Sequence, residues 1–187
     1  MSHRSHDLQK SVLITGISGS GKSTICEELV GMGYEAYDIE DMDTMFAMYR
    51  KGTREIFTDF DNNDPIKIEN SVWLCNIDKL QERLAQQRNS IAFYCGVASN
   101  MDDLFPLFNQ VFLLRVSAAS LHQHLSTRQG TNNMGSTEAS RQAVLGWKDW
   151  WEKEMETHGA VNVNADDSPR LVAKKVYDLA VANILER

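Results

Sequence analysis

One stretch decides the fold of this chain: Gly16-Ile17-Ser18-Gly19-Ser20-Gly21-Lys22-Ser23. It fits the phosphate-binding loop pattern G-x-x-x-x-G-K-[ST] at every fixed position. Its context fits as well, because residues 11–15 predict a short buried strand before the loop and residues 23–30 predict a helix after it. We therefore predict a phosphate-binding loop between a strand and a helix, a structure that holds a nucleoside triphosphate.

The residue types in this loop account for the expected binding. Glycines let the backbone curl so that N–H groups point at an anion, and the following helix directs the positive end of its dipole to the same place. We expect Lys22 to contact the β- and γ-phosphates of ATP and Ser23 to bind Mg²⁺. The other residues expected to contact ATP here are Gly16, Ser18, Gly19, Ser20, Gly21 and Thr24.

Composition excludes several classes of protein. The chain has 187 residues, which suits one domain, and its net charge of −7 disfavours a general binder of nucleic acids or anionic membranes. No apolar run approaches the roughly 20 residues that span a bilayer. Three unclustered cysteines, Cys26, Cys75 and Cys95, predict reduced thiols in a cytoplasmic protein rather than a zinc site or disulfides. Monomer and homodimer both stay open.

The rest of the chain alternates predicted strands and helices. Nearly continuous apolar runs at residues 90–95 and 110–116 are typical of parallel strands covered on both faces. The alternation predicts an α/β domain with three layers, a parallel sheet, and ligands at the carboxyl ends of the strands. The other predicted strands are residues 34–39 and 160–164, and the other predicted helices are residues 41–50, 68–87, 117–127, 138–158 and 168–185.

Three segments fall outside this alternation. Residues 1–10 are polar and predict a frayed or disordered terminus, which leaves residues 11–187 as a single domain. Residues 51–65 are polar and turn-rich, and we predict a mobile insertion there. Residues 128–141 begin and end with arginines around a Gly-, Asn-, Ser- and Thr-rich run, and we predict a lid.

Carboxylates follow the second predicted strand, beside the loop. Asp38 is our first candidate for a metal ligand or general base, because phosphoryl transfer needs an oriented hydroxyl and Mg²⁺ needs an acidic partner. Glu40 and Asp41 are candidates for holding the hydroxyl of an acceptor. The alternative interpretation is a solvated acidic turn that caps the next helix.

The two arginines of the predicted lid form a second group of candidates. A closing lid would bring Arg128 or Arg141 onto the transferring phosphoryl group and exclude water. Arg128 could instead stack on the base of the nucleotide. For both residues the alternative is an ion pair on the surface.

Further candidates for ligand contacts lie after the other strands. Gly96 would allow backbone to approach an acceptor closely, and Asn100 would donate a hydrogen bond to it. Trp73 would offer a flat platform, although packing in the core is at least as plausible an interpretation. Ala165, after the last strand, is a candidate for contact with the base of ATP.

With these residues placed, residues 11–185 resemble the nucleotide- and shikimate-kinase-like branch of P-loop kinases, in particular small bacterial ATP-binding proteins described as nucleoside-kinase-like. The resemblance rests on the loop, the Tyr37-Asp38 strand end, the 128–141 segment and the stretches 94–100, 112–114 and 131–135. It implies a three-layer α/β/α P-loop NTPase fold with a five-stranded parallel sheet in the order 2-3-1-4-5. It also implies Mg-ATP as phosphoryl donor.

Departures from this family affect the expected acceptor. Adenylate-type kinases usually carry Gly-x-Pro-Arg after the third strand, where this chain has Gly96-Val97-Ala98-Ser99 and no arginine. Arg54, with Arg50 and Lys51, would have to replace that grip on an acceptor phosphate, or these residues are simply solvated. The sequence thus favours a small-molecule kinase acting on an uncharged hydroxyl compound such as a nucleoside. The alternatives are a nucleoside-monophosphate kinase, a nucleotide-binding switch, and a degenerate kinase.

Overall fold

Residues 9–127 and 134–185 are described by the computed structural model of this protein. Short runs of apolar residues such as Val12-Leu13-Ile14 form strands that are covered on both faces. The strands in chain order are β1 (Lys10–Thr15), β2 (Glu35–Asp38), β3 (Phe46–Arg50), β4 (Ser71–Cys75), β5 (Ile91–Cys95), β6 (Gln110–Arg115) and β7 (Val161–Asn164). Strands β3 and β4 form a separate antiparallel hairpin.

The other five strands form one parallel sheet in the order β2-β5-β1-β6-β7. Counted without the hairpin, this is the order 2-3-1-4-5, so the prediction is confirmed. Ile14 of β1 and Asp38 of β2 are both in register with Cys95 of β5. The carboxyl ends of these three strands therefore meet at one edge, which is where ligands bind in sheets of this kind.

Helices cover both faces of the sheet and complete the predicted three layers. They are α1 (Lys22–Gly31), α2 (Pro65–Glu69), α3 (Ile77–Ala85), α4 (Met101–Leu104), α5 (Ala118–Ser126), α6 (Glu138–Thr157) and α7 (Pro169–Leu185). Leu29 of α1 and Val176 of α7 are buried in the core on one face. Leu80, Leu104 and Met155, from α3, α4 and α6, are buried in the core on the other face.

The predicted helix at residues 41–50 is wrong. Residues 41–45 form turns, with Thr44 at φ 58, and β3 follows. The alternative interpretation of this region as an acidic turn is thus close to the backbone observed. Pairing with β4 overrides the helical spacing of Phe46 and Tyr49, because the hairpin gives every residue of β3 a partner across the ladder.

The single long helix predicted at residues 68–87 is also wrong. The chain forms α2, then β4, then α3. Asn76 separates β4 from α3 because its side chain accepts a hydrogen bond from Lys79 N at 3.1 Å and so caps the new helix. The signal for a strand was present in Ser71-Val72-Trp73-Leu74-Cys75, a β-prone run between two asparagines.

Of the two segments predicted to move, residues 51–65 are described in full and residues 128–141 only in part. In residues 51–65 the turns expected from the sequence are present, and Phe57 and Asn62 are each only 4% exposed. The mobility of this segment stays a prediction. Of the predicted lid, residues 134–141 are described, whereas Arg128 lies outside the described residues. The frayed terminus also lies outside them, except that Lys10 already pairs with Ile91 in the sheet.

Two further features bear on the composition argument. Within residues 9–127 and 134–185, no helix has the length and apolar content needed to cross a membrane. The three cysteines are buried free thiols, as the sequence predicts.

Candidate functional site

The glycine-rich loop has the predicted setting between β1 and α1. Gly19 and Gly21 adopt φ values of 87° and 94°, a conformation that glycine tolerates without strain. A Cβ atom on Gly16 would lie 2.3 Å from Ser20 Oγ, so only glycine fits at the start of the loop. Ser20 is buried, and its backbone N–H donates to Ile17 O at 3.0 Å, which closes the turn.

Lys22 lies across this loop and is 8% exposed. Its ammonium donates to Gly16 O at 2.8 Å, which bends the side chain back over the loop. The ammonium is thereby kept at the mouth of the loop, together with the N-terminus of α1. This places a cation where the phosphates of a bound nucleotide would lie.

Glu40 faces Lys22 from the end of β2. Glu40 Oε1 lies 3.6 Å from Lys22 Nζ and accepts a hydrogen bond from Val97 N at 3.1 Å. Burial raises the pKa of the Glu40 carboxyl, and Asp38 adds to this, although Lys22 and the hydrogen bonds from Val97 and Trp73 oppose it. A carboxylate with a raised pKa beside a cation in a cleft is suited to accept a proton from a hydroxyl group.

Asp38 and Ser23, the predicted magnesium ligands, lie in one cleft. Both line the same cleft as Lys22, and Asp38 Oδ1 accepts the backbone N–H of Glu40 at 3.2 Å. Among the described residues, no three His, Cys, Asp or Glu side chains are grouped so that they could hold a metal by themselves. Mg²⁺ in such sites takes most of its ligands from phosphates and water, so one hydroxyl and one carboxylate fit its needs.

These residues line a cleft of about 1550 Å³. Its lining includes the loop, Met48 of β3, Ile68 of α2 and residues of α6. All four tryptophans of the chain line it: Trp73, Trp147, Trp150 and Trp151. Trp73 stacks on Phe46 with ring centroids 5.4 Å apart, so the hairpin presents an aromatic platform to the cleft.

The charges that line the cleft are mostly negative. The cationic side chains among its described lining residues are Lys22 and Lys51, with His124 in addition when it is protonated, and no arginine is among them. The carboxylates are Asp38, Glu40, Asp41, Glu69, Asp102, Glu154, Asp166 and Asp167. Such a cleft attracts Mg²⁺ and repels a second anion placed beside the triphosphate.

Two predicted acceptor ligands are used in packing instead. Both ends of the Asn100 amide bind the backbone of Cys75, at 3.0 Å to its N–H and 3.2 Å to its carbonyl, so Asn100 anchors β4 to the end of β5. A Cβ atom on Gly96 would lie 2.6 Å from Ile39 Cγ1. Gly96 therefore leaves room for the side chain of Ile39, just after β2. We include neither Gly96 nor Asn100 in the proposed acceptor site.

Neither Arg141 nor Arg54 is among the residues that line the cleft. Arg141 lies in the first turn of α6, where it donates to Ser136 O at 3.2 Å and to Glu138 Oε2 at 3.0 Å. This is the surface ion pair that we gave as the alternative. Arg54 is exposed in the turns after β3 and does not line the cleft. Arg128, for which we predicted catalytic and ATP-binding roles, lies outside the described residues.

The nucleotide side of the cleft includes residues that the sequence analysis missed. Ala165 lines the cleft as predicted, and its N–H donates to Arg115 O at 2.8 Å. His124 Nδ1 lies 2.9 Å from Gly19 O, and Ser18 Oγ donates to Met134 O at 2.9 Å. These contacts join the loop to α5 and to the segment before α6. No local pattern in the sequence signals them, because they join residues more than 100 positions apart.

Comparison with solved structures identifies the fold. A shikimate kinase from Acinetobacter baumannii in complex with shikimate matches with a TM-score of 0.57 at 14% identity, over 94% of each chain. A deoxyadenosine kinase from M. mycoides with bound dATP matches with a TM-score of 0.52 at 13% identity, over 91% of this chain and 98% of that one. A gluconokinase from Sinorhizobium meliloti 1021 matches with a TM-score of 0.53 at 17% identity, over 96% and 98%.

The sequence matches no protein-family model and no curated protein. The likeness therefore lies in the three-dimensional arrangement and covers nearly the whole chain. The fold is that of the P-loop small-molecule kinases, which confirms the resemblance drawn from the loop and the strand ends.

Proposed function

We propose that this chain is an ATP-dependent phosphotransferase that moves the γ-phosphoryl group of Mg-ATP to the hydroxyl of a small uncharged acceptor, a nucleoside or a similar compound. The observation that carries the proposal is the pairing of Lys22 and Glu40 across one cleft. Lys22 faces the donor phosphates from the loop, and Glu40 faces the space beside them. We infer that the Lys22 ammonium stabilises the charge of the transferring phosphoryl group and that the adjacent Glu40 carboxylate takes the proton of the attacking hydroxyl.

The loop would form the part of the site that binds ATP, the phosphoryl donor. Its backbone N–H groups and Lys22 would hold the phosphates, and Ser23 with Asp38 would hold Mg²⁺. Mg²⁺, when bound, neutralises charge that develops on the phosphate oxygens. Ala165 lies at the edge where the base would be placed. Most of the rate enhancement would come from positioning and electrostatic stabilisation.

The acceptor side follows from the aromatic and acidic lining. The hydroxyl oxygen of the acceptor would attack the γ-phosphorus as the bond to the β-phosphate oxygen breaks, and its proton would pass to Glu40. Trp73 would support a flat ring, as in a nucleoside. Asp41, exposed at the end of β2, would bind a second hydroxyl. The excess of carboxylates and the lack of arginine among the described lining residues disfavour a phosphorylated acceptor.

The neighbours in structure support the class of reaction. Two of them are named for acceptors with free hydroxyl groups, deoxyadenosine and gluconate, and the third was solved with shikimate. At 13–17% identity they support the class of reaction only. The acceptor is therefore inferred from the residues that line the cleft of this chain.

The proposal is tested by ADP release from Mg-ATP in the presence of nucleosides, nucleoside monophosphates, shikimate, gluconate and neutral sugars. We expect one uncharged acceptor to accelerate ADP release well above the rate with ATP alone. Lys22→Ala gives the background rate, and Lys175→Ala, an exposed lysine on α7, is the matched control that should behave like the native protein.

Two outcomes would contradict the proposal. Acceleration by a nucleoside monophosphate alone would make the chain a nucleoside-monophosphate kinase. Tight binding of Mg-ATP with slow hydrolysis that no acceptor accelerates would favour a nucleotide-binding switch or a degenerate kinase.

A further inference from the structure

Asn62 is a buried polar residue between two exposed polar neighbours. It is 4% exposed, whereas its neighbours Asp61 and Asn63 are exposed. Its side-chain N–H donates to Ser136 Oγ at 3.2 Å, and its backbone carbonyl accepts a hydrogen bond from Thr137 Oγ1. Asn62 thus binds the residues that lead into α6, 74 and 75 positions away in the chain.

The residues bound by Asn62 are themselves fixed to the phosphate-binding loop. Gly135 N donates to Ser140 Oγ at 2.9 Å, and Thr137 and Ser140 form the capping box of α6. One residue earlier, Met134 O accepts the hydroxyl of Ser18 in the loop. Residues 134–137, which we call the bridge, therefore contact the loop at one end and Asn62 at the other.

On its other side, Asn62 belongs to a well-connected segment, residues 57–69. Phe57 N donates to Met48 O at 2.8 Å and fixes the segment to β3. Lys67 Nζ donates to Asp59 O at 2.6 Å, and Asp64 caps α2 through Ile66 N at 2.9 Å. Pro65, Ile68 and Glu69 of this segment line the acceptor side of the cleft.

We propose that Asn62 is a positioning residue that couples the phosphate-binding loop to the acceptor side of the cleft through the bridge. This inference rests on the proposed function, since it adds a link between the two substrates of that reaction. Nucleotide that orders the loop would also order the bridge and, through Asn62, the wall that carries Ile68. By linkage, an acceptor that orders this wall would raise the affinity for nucleotide by the same factor.

Hydrogen exchange of backbone amides tests the coupling without knowledge of the acceptor. The full chain is compared with and without Mg²⁺ and adenylyl imidodiphosphate, a non-hydrolysable ATP analogue. We expect the analogue to slow exchange both in the loop and in residues 57–69 of the native protein, the latter by about fivefold or more, the lower end of usual coupling between sites. In Asn62→Ala the loop should still be protected, whereas the protection of residues 57–69 should fall, because the side-chain hydrogen bond to Ser136 is lost while the one from Thr137 to the backbone carbonyl of residue 62 remains.

Asn63→Ala is the matched control, because Asn63 is exposed and its backbone and side-chain N–H groups donate to Asp61 Oδ1 in its own turn. It should keep the full response. Ser136→Ala removes the partner of the Asn62 amide while Asn62 stays in place, so it should reproduce the loss even if Asn62→Ala folds poorly.

The outcomes separate the two proposals. Protection of residues 57–69 that persists in both Asn62→Ala and Ser136→Ala, or that is missing in the native protein while the loop is protected, would overturn the coupling and leave the proposed function intact. A loop that the analogue does not protect in the native protein would overturn the proposed function and the coupling with it.

Discussion

Lys22 Nζ and Glu40 Oε1 lie 3.6 Å apart, although Lys22 follows β1 and Glu40 follows β2. Lys22 begins α1 after the loop, and Glu40 follows β2, whose end is held beside β1 by β5 between them. The pair therefore exists only when the parallel sheet has formed. In the proposed function this pair joins the cation for the donor phosphates to the proton acceptor for the second substrate, and our predictions follow from it.

Replacing Lys22 should remove the grip on the phosphates. We expect Lys22→Ala to lower ATP turnover by about 100-fold or more, the usual cost of losing one group that stabilises the transition state. The fold should persist, because the polar contacts of Lys22, with Gly16 O and Glu40, lie at the loop and outside the strand ladders of the sheet. Circular dichroism and steady-state kinetics measure the two effects. An unchanged rate would contradict the assignment of the loop.

Replacing Asp38 tests the metal or proton role. We expect Asp38→Asn to lower turnover by about 100-fold, as for loss of one general base or metal contact. The size of the loss should depend on the Mg²⁺ concentration if Asp38 acts through the metal. Turnover measured over a range of Mg²⁺ concentrations decides this. A rate near that of the native protein would transfer the role to Glu40 or Asp41.

Replacing Glu40 by a neutral glutamine should lower turnover, and its effect on the free energy of unfolding should depend on pH. Burial raises the pKa of Glu40 above its unfolded value, so the native protein loses stability as the pH rises through the range between the two pKa values. Glu40→Gln has no such loss. Its free energy of unfolding, relative to that of the native protein, should therefore increase from acid to neutral pH, while its turnover falls.

Urea unfolding over the range of about pH 4 to 8 measures the effect on stability. Glu27→Gln, which changes an exposed carboxylate of α1, is the control and should show no such trend. If the difference in free energy of unfolding between Glu40→Gln and the native protein does not vary with pH, burial does not raise the pKa of Glu40.

Two glycines near α6 should respond in opposite directions to alanine. Gly135 has φ 93°, and a Cβ atom there would lie 2.4 Å from Leu125 Cδ2, so Gly135→Ala should lower the free energy of unfolding by about 1–3 kcal/mol. Gly146 lies inside α6 with no atom within 4 Å of such a Cβ. Gly146→Ala should raise the free energy of unfolding by about 0.5–1 kcal/mol. Equal effects would contradict the described geometry of residue 135.

Local patterns predicted the loop and the strands of the parallel sheet correctly. The loop pattern depends on residues adjacent in sequence, and buried strands such as β5 are continuous apolar runs. Asp38 and Glu40 were found because the end of a parallel strand can be located from its sequence, and the sheet order then places that end beside the loop.

The hairpin and the packing roles were missed for a physical reason. Trp73, Ile77, Leu80 and Leu84 repeat at helical spacing, but the repeat crosses the cap formed by Asn76, so a strand and a helix were merged. Asn100 and Gly96 were assigned to the acceptor because the sequence does not show their packing partners. These partners, Cys75 and Ile39, lie in other parts of the chain and are brought close only by tertiary contacts. Such contacts leave no periodic signal in the sequence.

Transfer of the label from [γ-³²P]ATP tests the central claim most directly. The chain is incubated with Mg²⁺, labelled ATP and each uncharged acceptor that accelerates ADP release, and the products are separated by chromatography. The account predicts that the label appears in an organic phosphate ester, and that Lys22→Ala and Asp38→Asn form little of it. Label found only in inorganic phosphate, at a rate that no acceptor changes, would contradict it.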